Sequence, residues 1–138
     1  MPQNTITIEA LIHAPVHKVW NAYNTPKDIM VWNSASDDWH TPKAENDVRP
    51  GGKFTYRMES RDGSQGFDFS GTFDEVVKDE FLAYTISDGR TVEVSFEKSG
   101  KNTQVTVTFE TENENPVEMQ RQGWQSILNA FKKYVESQ

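Results

Sequence analysis

The sequence predicts an α+β domain: a curved antiparallel sheet of about six strands wrapped around one long C-terminal helix, with two short helices after the first strand. Three observations predict it. Apolar and polar residues alternate in six segments, the last five consecutive and joined by short turn signals. Two helix-period stretches stand between the first and second of these segments. Residues 115–138 carry one unbroken apolar stripe at helical spacing.

Residues 5–12 place Ile6, Ile8, Ala10 and Ile12 on one face and Thr5, Thr7 and Glu9 on the other, the pattern of a half-buried strand. Pro15 opens a short helix whose apolar residues are Val16, Val19, Trp20 and Tyr23. Thr25-Pro26-Lys27-Asp28 reads as a second capped start, leading into Ile29, Met30 and Trp32. From 33 to 48 the periodicity fails. The polar, turn-rich run around Trp39 is expected to be a long irregular loop, and such loops often carry function.

After Pro50-Gly51-Gly52 the alternation returns. Phe54, Tyr56 and Met58 share one face against Thr55, Arg57 and Glu59, and Asp62-Gly63 signals a tight turn. Phe67, Phe69, Gly71 and Phe73 follow against Asp68, Ser70, Thr72 and Asp74. Lys78-Asp79-Glu80 separates these from Leu82, Tyr84 and Ile86. Asp88-Gly89 turns the chain into Val92, Val94 and Phe96, and Ser99-Gly100-Lys101-Asn102 turns it into Val105, Val107 and Phe109. Short connections between consecutive strands make an antiparallel meander, wet on one face and covered on the other.

The final helix has the signals of a capped start: Asn115 as cap, Pro116 at the first helical position and Glu118 as a capping-box acid. Trp124, Ile127, Leu128, Phe131, Tyr134 and Val135 form its stripe, and Lys132 and Lys133 suit its negative end. Burying Trp124, Ile127, Leu128, Phe131 and Val135 contributes roughly 7–15 kcal/mol before entropy, as an upper bound.

Six strands about 4.8 Å apart make a sheet nearly 30 Å wide, whereas a helix is about 10–12 Å across with its side chains. One helix cannot cover such a surface. Sheet twist curls it into a trough, which the short helices and the 33–48 loop must close. The expected lining of the space left between sheet and helix is Trp32, Trp39, Phe54, Tyr56, Met58, Phe67, Phe69, Tyr84, Val94, Trp124 and Leu128. The alternative is that these side chains pack it solid.

Composition narrows the function. A chain of 138 residues is of single-domain size, and one domain over 1–138 is expected. A formal charge of −7 without a basic patch argues against a nucleic-acid partner. The absence of cysteine excludes disulfides, thiolate nucleophiles and cysteine metal sites. No apolar run reaches membrane-spanning length and the N-terminus lacks a signal-peptide core, so no membrane association and a cytoplasmic location are expected.

The chain resembles the START-like superfamily (Bet v 1-like, or SRPBCC, which includes polyketide cyclases and lipid-transport proteins). The likeness is strongest to its branch homologous to the C-terminal domain of the activator of heat-shock-protein 90 ATPase. Ala14-Pro15-Val16-His17-Lys18-Val19-Trp20 looks like that branch's opening "A-P-x-x-x-V-W", and Trp32 like the tryptophan ending its second short helix. Asp47-Val48-Arg49-Pro50-Gly51-Gly52-Lys53-Phe54 resembles "D-x-R-x-G-G-x-F", and Gly123-Trp124 with Leu128 resembles "G-W-x-x-x-L". The resemblance implies a helix-grip fold and a small apolar ligand held between sheet and C-terminal helix. It offers two alternatives, a co-chaperone-type adaptor with a chaperone or self-association as partner, and a cyclase- or hydrolase-like enzyme. It brings no shared catalytic motif.

Among polar residues, Asp37-Asp38-Trp39-His40 stands out, with His40 and Asp38 the candidate acid–base pair; the other reading is a solvated loop anchored by Trp39. Three histidines without an H-E-x-x-H motif call for no metal, and no cofactor is expected. Alternation puts Asp68 on the wet face. Arg49 with Gly51-Gly52 reads as a tight turn with an ion pair, or as a small anion site. Gly123 interrupts a helix at a cost of about 1 kcal/mol, for close backbone packing or to leave room beside Trp124.

Overall fold

The computed structural model describes residues 5–138; residues 1–4 of the domain expected over 1–138 lie outside the described residues. The elements are β1 (Thr5–Ile12), α1 (Val16–Asn24), α2 (Pro26–Trp32), β2 (Trp39–Asn46), β3 (Lys53–Ser60), β4 (Gly66–Val77), β5 (Phe81–Ile86), β6 (Thr91–Ser99), β7 (Asn102–Glu110) and α3 (Val117–Glu136). The strands form one curled antiparallel sheet in the order β1-β7-β6-β5-β4-β3-β2, a half-barrel around α3. The helix-grip architecture and the two short helices after the first strand are as the sequence indicates.

Among the described residues the sheet has seven strands, not six. Part of the stretch expected as an irregular loop, 33–48, is β2, paired antiparallel with β3 along the sheet edge. Its alternation is hidden because only Thr41 is buried and because Pro42 cannot donate to a ladder. The register shifts between His40 and Lys43, and Pro42 sits in that irregularity.

The two edges of the half-barrel are covered in different ways. Along β1, three side chains of α3 reach successive outward carbonyls. Arg121 Nη1 donates to Thr7 O at 3.4 Å, Gln125 Nε2 to Glu9 O at 3.3 Å and Lys132 Nζ to Leu11 O at 2.6 Å. Open carbonyls on an edge strand invite pairing with another chain, and this strap satisfies them. Along β2, the short helices do the work: Asn46 Nδ2 donates to Asn24 O at 2.9 Å, and the Thr41 hydroxyl to Asn33 O at 2.6 Å.

The start of α3 differs from expectation. Pro116 occupies the cap position, the helix begins at Val117, and no side chain caps it. Gln120 ties the turn instead: its Oε1 accepts from the Glu112 N–H at 2.9 Å while Nε2 donates to Asn115 O at 2.8 Å. Thr25 likewise does not cap α2, since its hydroxyl donates backward to Asn21 O at 2.6 Å. Pro26 does take the first-turn position.

The densest core lies on the β1–β7–β6 side, where Ile6, Ile12, Val92, Val94, Val105, Phe109, Phe131 and Val135 have at most 2 % of their surface exposed. The far end of α3 is pinned to α2 by a short hydrogen bond from the Tyr134 hydroxyl to the Asp28 carboxylate. That bond, with some burial, pushes the Tyr134 phenol up to about 12. Among the described residues no helix is long and apolar enough to cross a membrane.

Candidate functional site: an aromatic cavity between sheet and helix

Because α3 is strapped to β1 at one edge, the opposite half of the trough is not filled. A cavity of about 360 Å³ lies there, walled mainly by β3, β4, β5, α3 and the α1–α2 pair, with Ile8 of β1 and Val107 of β7 also reaching it. Phe54, Tyr56 and Met58 line it from β3, and Phe67, Phe69 and Phe73 from β4. Leu82 and Tyr84 come from β5, Trp124, Ile127, Leu128 and Phe131 from α3, and Tyr23, Trp32 and Asn33 from the short helices and their end.

Phe54 organises the floor. Its ring centroid lies 5.2 Å from Tyr56, 5.8 Å from Phe69, 5.4 Å from Phe73 and 5.0 Å from Tyr84. It rests directly over Gly71, where an added Cβ would fall 2.8 Å from the ring and 2.5 Å from Thr85 O. Glycine at this strand position is a requirement of close approach. On the facing wall Trp32 stacks on Tyr23 at 5.3 Å and spends its indole N–H on Ala22 O at 2.9 Å. Trp124 stacks on Phe109 at 4.0 Å and meets Phe69 only at 6.2 Å.

Besides Asn24 and Asn33 at the ends of the short helices, the polar groups of the cavity fall into two sets. Arg90, Glu112, Asn115 and Gln120 stand where the β5–β6 turn meets the connection into α3. Arg90 Nε is already engaged by Asp88 at 2.9 Å. Deeper in, the Tyr23, Tyr56 and Tyr84 hydroxyls come from three different elements. Tyr23 and Tyr56 keep some accessible surface, but it faces the cavity. Burial pushes the Tyr23 phenol up to about 12, partly offset by a hydrogen bond from Tyr84. Burial raises Tyr56 and Tyr84 as well, with neighbouring tyrosines adding to the effect.

Of the residues expected to line the space, Trp32, Phe54, Tyr56, Met58, Phe67, Phe69, Tyr84, Trp124 and Leu128 meet around it. Trp39 does not: it stands on β2, edge-on to Phe67 at 6.0 Å. Val94 is fully buried in β6 between Leu82 and Val107, where no void reaches it. His40 is half-buried on β2 opposite Glu59 and Asp38 is exposed, so neither reaches the cavity. Among the described residues no cluster of three His, Asp or Glu side chains is placed to hold a metal.

Asp68 is exposed and lies 3.5 Å from Arg57, on the wet face as alternation indicates. Arg49 pairs with Asp47 at 2.8 Å beside the left-handed Gly51. Close backbone packing does not explain Gly123, since an added Cβ there meets nothing within 4 Å, and Gly123 does not line the cavity.

Sequence reasoning missed Tyr23, Phe73, Gln120, Ile127 and Phe131 as lining. A tyrosine in the apolar stripe of a short helix was the one available signal, because its hydroxyl needs a partner inside.

Comparison with known proteins agrees with this architecture. The AHSA1-like protein of Aeromonas hydrophila, solved by NMR, superposes with a TM-score of 0.92 at 43% identity, over 97% of this chain and 93% of that one. A Cytophaga hutchinsonii protein superposes at 0.84 with 45% identity, over 96% and 92%. A Nitrosomonas europaea protein shares the fold at 0.84 with 20% identity, over 99% of both chains. No curated protein matches the chain. The family model described as "Activator of Hsp90 ATPase homolog 1-like protein" matches residues 13–136, and the chain belongs to that family, with its START-like fold.

Proposed function

We propose that the protein binds a small, mainly apolar molecule, aromatic or acyl, in the cavity between the sheet and α3. The observation that supports this is the cavity itself. An interior of about 360 Å³ walled by Phe54, Phe69, Phe73, Trp32 and Trp124 is in the size range of small-molecule sites, roughly 300–1,000 Å³. An unfilled apolar space of this size costs stability, because its walls lose dispersion contacts on one side. A ligand restores them.

Binding without chemistry is the better reading, since His40 and Asp38 lie away from the cavity. The test is thermal melting against a panel of apolar aromatic and acyl compounds. A ligand at about 100 times its Kd adds roughly 2.7 kcal/mol and raises Tm by several degrees. A flat response across the panel would remove the proposal.

A further inference from the structure

We propose that the ligand carries a neutral hydrogen-bond acceptor, a carbonyl oxygen, within its apolar body, and that the hydroxyls of Tyr23, Tyr56 and Tyr84 receive it. This deepens the binding reading and rests on it. The three phenols come from α1, β3 and β5 and open into the same cavity. Tyr56 and Tyr84 pack on the same ring, that of Phe54, at 5.2 and 5.0 Å.

Among the described residues, the Tyr56 hydroxyl has no hydrogen-bond partner. The Tyr23 and Tyr84 hydroxyls neighbour one another and open on the same cavity. These hydroxyls open onto the cavity, and a donor there that finds no acceptor costs about 1–3 kcal/mol. Phenylalanine would have filled the same volumes without that cost, as Phe54, Phe69 and Phe73 do alongside. The hydroxyls therefore have a use that packing does not supply.

Donors without acceptors select an acceptor, and the site favours an uncharged one. Phenols are protonated at neutral pH, so all three can donate. Among the described residues the one cation in the lining, Arg90, is already paired with Asp88. An anion drawn into this cavity would be desolvated without a free countercharge.

Matched probe pairs test this: fluorenone against fluorene, benzophenone against diphenylmethane, acetophenone against ethylbenzene. Dissociation constants are read from tryptophan emission, since Trp32 and Trp124 line the cavity. The ketone of a pair should bind about 3- to 10-fold tighter than its hydrocarbon, the ratio expected for one net hydrogen bond. In Tyr56→Phe and Tyr84→Phe that ratio should fall towards 1, with circular dichroism confirming that the variants fold. Equal binding of ketone and hydrocarbon to the wild-type chain would overturn the carbonyl inference while leaving the cavity a binding site, its hydroxyls served by water. A ratio that survives both substitutions would overturn it too. Failure of both members of every pair to bind would end both readings.

Discussion

The indole of Trp124 lies flat on the ring of Phe109, centroids 4.0 Å apart and planes within 10°. This stack holds the largest side chain of α3 over β7. Towards β4 the indole meets Phe69 only edge-on, at 6.2 Å, and both line the cavity. The widest residue of the lid thus props the cavity instead of filling it.

Removing that prop should be expensive. Trp124→Ala deletes the stack and enlarges an existing void, so urea denaturation should show a loss of about 3–5 kcal/mol. A loss below about 1 kcal/mol would mean the stack contributes little to holding α3 on the sheet.

Filling the cavity should be cheap. Leu128→Phe adds volume beside empty space and is expected to change stability by less than about 1 kcal/mol. Val94→Phe, in the dense part of the core, should cost about 1–3 kcal/mol or more. Denaturant midpoints of the two variants compare the sites directly, and equal losses would argue that no usable void exists.

The glycines of α3 and β4 should behave oppositely. Gly123→Ala meets open space and should gain about 0.5–1 kcal/mol from helix propensity. Gly71→Ala drives a methyl group into Thr85 O and the Phe54 ring, and should lose about 1–3 kcal/mol. Urea midpoints moving in opposite directions are the expected result.

The tyrosines make alkaline unfolding distinctive. All four of the chain's tyrosines have raised phenol values in the fold, Tyr23 and Tyr134 to about 12 against the usual 10. A folded value above the unfolded one gives stability that is complete below pH 10 and is lost as pH rises through about 12. Absorbance at 295 nm should therefore show almost no phenolate at pH 10.5, then a rise coincident with the loss of circular dichroism. Early titration of one tyrosine without unfolding would show that its hydroxyl reaches water.

Strict alternation made six of the seven strands legible, because each buries one face against the helix. β2 was not legible: as an edge strand it buries only Thr41, and Pro42 interrupts it. The stripe of α3 announced the helix, but its start was misread because Gln120, a residue with no cap signature, replaced the expected Asn115 cap. Alternation tells which residues face inward and is silent about which of them border a void. Val94 and Leu82 pair across β5 and β6, yet only Leu82 touches the cavity. The offset of α3 towards β1 decides this, and it depends on long-range bonds such as that from Lys132 to Leu11.

The most direct test uses the four tryptophans as position markers. Trp32 and Trp124 line the cavity, whereas Trp20 and Trp39 do not. In ¹⁵N–¹H spectra recorded during titration with a small apolar ligand, the indole signals of Trp32 and Trp124 should shift together and saturate. Those of Trp20 and Trp39 should stay in place. Shifts confined to Trp39, or no saturable shift at Trp32 and Trp124, would contradict an internal binding site.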